Sequence, residues 1–357
     1  MRLLKNGLMQ KRASEETMSS YEFTFTAFER AFAGLGEHFI VWGPKRLTGR
    51  GRFVDDDLID YGQINHFSDL VTEQKSDLSP KSLVLPADET LFYFNGQKFT
   101  EAELPEEQHV IVFLRPCDIN GIDRLDKIFL ENGNVEDFYY ARRRKRLHFF
   151  MIECRSSFEN CFCVAMKANI TSNYAAAFRF LDDKIMVEVV DHNFSQYFSE
   201  TGKVSTFKPD FVEEDSVTVQ LPGVDEMPQE MYGDSMWREY DSRCIACGRC
   251  NVSCVTCSCF TTRDLFYQDS RTCGERRRVW DGCHIDGFCD MAGGHSFRKE
   301  KGDRMRFKTF HKVYDFKKKF GSDMCVGCGR CDDQCPEYIS FSNCINKLSR
   351  RIKEIKN

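Results

Sequence analysis

An α/β domain over residues 1–230 followed by a mostly helical, cysteine-rich domain over residues 231–357 is the fold this sequence predicts. Three observations lead there. The first half contains a strand–helix–strand pattern, an acidic and proline-containing stretch precedes residue 230, and cysteines crowd the remainder. A chain of 357 residues is long enough to bury a substantial core and is more readily two domains than one.

In chain order, Ser19 to Ala33 places Tyr21, Phe25, Phe28 and Phe32 on one helical stripe, which predicts a core-facing helix. Thr90 to Thr100 predicts a hairpin turning at Asn95-Gly96. His109 to Leu114 is an apolar run of strand length, broken by Arg115-Pro116-Cys117-Asp118. Helical spacing follows through Ile122, Leu125, Ile128 and Phe129, and a second apolar run, Leu147 to Ile152, ends at Glu153-Cys154. This is the pattern of a right-handed βαβ crossover with parallel strands. It sets Cys117 and Cys154 just past the carboxyl ends of two strands, the edge where open α/β sheets place ligands. Lys184 to Val190 reads as another strand, and Val212 to Gln229 as a linker. The tail through Ile345, Leu348, Ile352 and Ile355 reads as an amphipathic helix packed within the molecule.

Composition excludes some functions. A net charge of −5, with 29% charged residues, argues against nucleic-acid binding. No run approaches the roughly 20 apolar residues of a membrane span, and the start, MRLLKNGLMQKRASEET, lacks the apolar core of a signal peptide. Eighteen cysteines in a chain so read as cytoplasmic point to metal rather than disulfides. The basic runs Arg142 to Arg146 and Lys317 to Lys319 read as solvated faces, the first alternatively as a dock for an acidic partner or a phosphate.

The cysteine spacing is specific. Cys244-Cys247-Cys250-Cys254 and Cys325-Cys328-Cys331-Cys335 are both C-x2-C-x2-C-x3-C, and Pro336 follows the second. Bacterial ferredoxins use this spacing for [4Fe–4S] clusters, and in two-cluster forms the fourth cysteine of each run ligates the other cluster. The expectation is therefore Cys244, Cys247, Cys250 and Cys335 on one cluster, and Cys325, Cys328, Cys331 and Cys254 on the other. Iron is bound through these same cysteines. The glycines of Cys247-Gly248-Arg249-Cys250 and Cys328-Gly329-Arg330-Cys331 let backbone amides approach the clusters. Zinc bound by four cysteines of one run is the weaker alternative, given two full copies. The second domain is thus ferredoxin-like, with its motifs separated by an insertion of about seventy residues, and Val255 stands where a proline is usual after the first run.

Cys117, Cys154, Cys161 and Cys163 form a third candidate site, for another [4Fe–4S] cluster or for four buried structural cysteines. Asp118 is a candidate oxygen ligand or supporting group there. Cys257, Cys259, Cys273, Cys283 and Cys289 of the insertion, with His284, His295 and His311, read as packing around the clusters, with metal binding by Cys257-Ser258-Cys259 and Cys283 as the alternative. No G-x-G-x-x-G follows a strand, so nothing supports nicotinamide binding. No catalytic residue is assigned, and the chain reads as an electron relay between partners.

Several stretches resemble the family of ferredoxin-like iron–sulfur subunits of anaerobic sulfite reductases: Arg115 to Ile122, Asn160 to Cys163, Glu275 to Asp281, Met291 to Arg298 and Cys325 to Cys331. The resemblance covers about residues 20 to 345 and extends to the β subunits of cytoplasmic nickel–iron sulfhydrogenases, the alternative assignment. It implies a cytoplasmic complex that reduces sulfite to sulfide with NADH. This chain would carry electrons from a flavin subunit that oxidises NADH to a sirohaem subunit that reduces sulfite. The eight ferredoxin-type cysteines carry over individually, and Cys117, Cys154, Cys161 and Cys163 match family cysteines. The Asn-Cys-Phe-Cys-Val run favours the sulfite reductase branch.

Overall fold

A computed structural model describes residues 19–53, 55–103, 108–223, 225–268 and 270–357. The amino-terminal segment 1–18, on which the expectation of no signal peptide rests, lies outside them. The strands of the first half are β1 (Ser19–Phe23), β2 (Ile40–Leu47), β3 (Leu58–Gln63), β4 (Asp88–Asn95) and β5 (Lys98–Glu101). They continue with β6 (Val110–Leu114), β7 (Leu147–Ile152), β8 (Ala176–Phe180), β9 (Ile185–Val189) and β10 (Lys203–Ser205). Beyond residue 230 come β11 (Phe260–Phe266) and β12 (Cys273–Trp280).

Eight strands form one mixed sheet in the order β10-β1-β9-β8-β7-β6-β2-β3. At its centre β2, β6, β7 and β8 run parallel, and the outer pairs are antiparallel. The βαβ crossover is present: β6 pairs with β7 from Val110↔Leu147 to Leu114↔Met151, and helix Pro116–Phe129 connects them. Side chains alternate across a strand, so these two apolar runs feed two cores. Ile111, Phe113, Phe150 and Ile152 face a phenylalanine-rich core with Phe28, Phe32 and Phe178. Val112, Leu114, Phe149 and Met151 face a second core, which also contains Trp237, Val255, Phe310, Val326 and Ile345. That second core joins the two halves of the chain.

Two expectations need correction. The helix expected from Ser19 starts only at Phe25, because Thr24 caps it by accepting from the Ala27 amide, 3.3 Å. Ser19–Phe23 is instead a strand held between β9 and β10. The insertion, expected to be helical, carries the β11–β12 hairpin. β12 pairs with β4 of the first half from Cys273↔Asn95 to Val279↔Asp88, giving a second sheet in the order β11-β12-β4-β5. The buried Arg278–Glu89 ion pair, 2.8 Å, pins that pairing.

The Asn95-Gly96 hairpin forms as expected. The carboxyl-terminal helix Phe341–Lys356 buries Ile345, Leu348 and Ile352 within the molecule. Basic residues 142–144 are engaged internally, with Glu101, Glu89 and Asp126, rather than lying free for a ligand. Among the described residues no helix is long and apolar enough to cross a membrane.

Candidate metal centres

The two ferredoxin-type runs fold alike. In each, the residue two places after the first cysteine has a left-handed backbone and points its amide at that cysteine's sulfur. These are Ala246 (φ 56°) to Cys244 Sγ and Gly327 (φ 67°) to Cys325 Sγ, both 3.4 Å. Gly248 and Gly329, both at φ 71°, then open the short helices Arg249–Val252 and Arg330–Asp333. The chain therefore curls around each thiol group with its amides turned inward, the arrangement that stabilises an anionic centre.

Cys244, Cys247 and Cys250 line one cavity together with Cys331 and Cys335 of the other run. Cys254 lies within electrostatic reach of Cys325 and Cys328. Cys335 of the second run thus shares a cavity with the first run, and Cys254 of the first run lies beside the second. Burial pushes the Cys325 thiol up to about 12 and raises those of Cys244, Cys328 and Cys331. Thiolates at these positions need compensating positive charge, which bound iron would supply. Among the described residues no three His, Cys, Asp or Glu side chains converge closely enough for a single ion. Soft thiols lining one cavity at the ferredoxin spacing fit an iron–sulfur cluster.

Cys117, Cys154, Cys161 and Cys163 are also drawn together at the sheet edge. Cys163 lies within electrostatic reach of Cys161 and Cys154, and Cys117 within reach of Cys163 and Cys328. Burial raises Cys117 and Cys163 and lifts Cys161 to about 11. The side chain of Arg115 reaches Cys154 Sγ, 3.5 Å, and the Lys75 ammonium lies 3.8 Å from Cys161 Sγ. This loop seats directly on the second run: the Phe162 amide donates to Gly327 O, 2.7 Å. A Cβ at Gly327 would lie 2.3 Å from Phe162 O. We expect Gly327→Ala to cost roughly 1–3 kcal/mol through left-handed strain and this clash. Denaturant titration would read the loss, with Gly133→Ala, which meets nothing within 4 Å, as the unaffected control.

Asp118 is not available as an iron ligand. It is fully buried and forms a two-pronged ion pair with Arg330, 2.5 and 3.0 Å, while Tyr61 donates to it, 3.0 Å.

Sequence reasoning missed the cations. Lys81, Lys308 and Lys312 are each less than 5% exposed, and none joins an ion pair with a carboxylate among the described residues. Lys308 is held protonated by Cys250, Cys331, Cys257 and Cys283, and Lys312 by Cys254, Cys257 and Cys325, against the opposing effect of burial. Both project from one long helix, Lys301–Phe310, continued by a π turn at His311–Asp315. The π turn leaves the Lys312 carbonyl to accept from the Met324 and Cys325 amides, 3.0 and 3.1 Å, tying this helix to the second run. Two lysines four apart within an aromatic-rich helix, RFKTFHKVYDF, were the available signal.

A family profile for the 4Fe-4S dicluster domain matches residues 243–339. The chain is also 27% identical, over 337 residues, to the protein named Sulfhydrogenase 2 subunit beta of Pyrococcus furiosus, covering 90% of this chain and 96% of that one. Residues 243–339 are therefore similar to a 4Fe-4S dicluster domain, and an α/β region built on a large mixed sheet precedes them.

Proposed function

We propose that this chain is the iron–sulfur electron-transfer subunit of a multi-subunit oxidoreductase, of the kind represented by sulfhydrogenase β subunits. The observation that carries this reading is similarity along nearly the whole chain, α/β half included, to a β subunit. It reverses the order suggested by the motifs alone, which favoured the sulfite reductase branch. That branch remains the second reading, on the strength of the Asn160-Cys161-Phe162-Cys163-Val164 run.

Cys244, Cys247, Cys250 and Cys335 would hold one [4Fe–4S] cluster, and Cys325, Cys328, Cys331 and Cys254 a second. Cys117, Cys154, Cys161 and Cys163 would hold a third. When bound, each cluster accepts and releases one electron. The protein's part is to exclude water and supply compensating charge. Val255, Val326, Phe341 and Ile339 form apolar walls near the thiols, and the buried lysines stabilise added negative charge. Contact between the Cys161 loop and the second run supports a third group beside the second, with the α/β half as one end of a relay.

Anaerobic co-purification of the native complex tests the proposal. A nickel–iron hydrogenase partner is the expected result, and a sirohaem reductase would favour the second reading. The isolated chain should neither oxidise NADH nor reduce sulfite. Turnover of either by partner-free protein would overturn the relay reading.

A further inference from the structure

We propose that Cys257, Cys259, Cys283 and Cys289, in the insertion between the two runs, hold a further iron–sulfur cluster of the four-iron class. Cys257 and Cys259 lead directly into β11, and Cys283 follows β12. Pairing of Phe260 with Trp280 closes the hairpin at that end. The Asp281 amide donates to Cys259 O, 3.2 Å, bringing the two cysteine-bearing segments side by side. The carboxamide nitrogen of buried Asn251 reaches both Cys257 Sγ and Cys283 Sγ, each at 3.5 Å, while its oxygen accepts from the His284 amide, 3.1 Å. Cys289 lies within electrostatic reach of Cys259, and Arg298 donates to its sulfur, 3.6 Å.

A second observation is independent of the thiols' positions. The Lys81 ammonium donates to the carbonyls of Asn251, 2.8 Å, and Cys257, 3.3 Å, and stands 4.0 Å from the Trp280 ring centre. Lys312 donates to Thr256 Oγ1, 2.7 Å, and Lys308 faces Cys257 and Cys283. Burying ammonium groups without an anion is costly. Lys308 and Lys312 also face thiols of the two ferredoxin-type runs, Cys250 and Cys331 for the one and Cys254 and Cys325 for the other, whereas Lys81 has Cys257 as its foremost thiol neighbour, and four thiolates on an iron–sulfur core would supply the negative charge it lacks. Zinc fits less well, since no three of these side chains converge on one ion. Cys257 lies within electrostatic reach of Cys254, so the proposed cluster adjoins the second centre and would extend the relay into the insertion.

The inference rests on the insertion's own residues and not on the identity of the partners. The test uses the full-length chain, purified and reconstituted anaerobically with iron and sulfide. Cys259→Ser/Cys283→Ser should lose roughly four iron and four acid-labile sulfide per chain, with one fewer cluster signal in the reduced EPR spectrum. Unchanged iron and sulfide in that variant would overturn the proposal, as would loss of a zinc ion alone. Should the double variant not fold, Cys289→Ser serves instead. An altered EPR signal from one cluster is then expected, and an unaltered spectrum overturns the proposal. A parallel Cys247→Ser variant reads the first ferredoxin-type run. Loss there without loss at Cys259 and Cys283 defeats only this inference, and loss at neither defeats the electron-transfer reading too.

Discussion

Replacing Asp118 with alanine should destabilise the protein by about 3–5 kcal/mol, the range for removing one partner of a buried ion pair. The reason lies in what would remain. Arg330 is 1% exposed and donates to both carboxylate oxygens of Asp118, with its other contacts at the Ser76 carbonyl and hydroxyl, each 2.9 Å. Without the carboxylate, a guanidinium stays charged in the core, because Arg cannot shed its proton. Tyr61 compounds the effect. Burial and the adjacent Asp118 raise its pKa, so it stays a hydrogen-bond donor and would lose its acceptor. Arg330 also lies between Cys328 and Cys331, so loosening it should release iron from the second centre. Chemical denaturation, with iron content read alongside, checks both effects. A paired Asp118→Leu/Arg330→Met variant should recover much of the stability, since an apolar pair leaves no charge unmatched. A denaturation midpoint for Asp118→Ala equal to that of the parent chain would refute the account.

The second large effect concerns redox chemistry. Lys308→Met removes a cation, 4% exposed, that faces Cys250 of the first run, Cys331 of the second, and Cys257 and Cys283 of the insertion. Reduction adds negative charge, which a nearby cation stabilises, so removing it must lower the potential. At an effective dielectric constant of about 20 and a separation of about 8 Å, one unit charge contributes about 2 kcal/mol. For a one-electron couple that is a fall on the order of 100 mV. EPR-monitored redox titration of the reconstituted chain would measure it. Lys308→Arg, which keeps the charge, should retain most of the parent potential. A shift to higher potential in Lys308→Met, or none, would contradict the electrostatic role.

Much of this protein was legible without coordinates. The two C-x2-C-x2-C-x3-C runs, the parallel crossover from His109 to Ile152, the Asn95-Gly96 turn and the apolar stripe of the last helix are all short-range patterns. Their spacing reflects ligand geometry or backbone period directly, and neighbours far along the chain do not alter it. What escaped the sequence depends on partners far away. Ser19 to Phe23 fits a helical stripe as well as a strand, and only the open edge of β9 makes it β1. The insertion's hairpin is likewise settled by its pairing with β4, some 180 residues earlier. The spacing of the two cysteine runs, which matches a 4Fe-4S dicluster domain, can be read from the sequence alone. Packing with distant parts of the chain sets the Asp118–Arg330 pair, buries three lysines among thiols, and brings Cys257, Cys259 and Cys283 to one end of the β11–β12 hairpin. The physical reason is that burial is collective: a charge's neighbours are chosen by how the sheets and helices pack, and no local spacing records that choice.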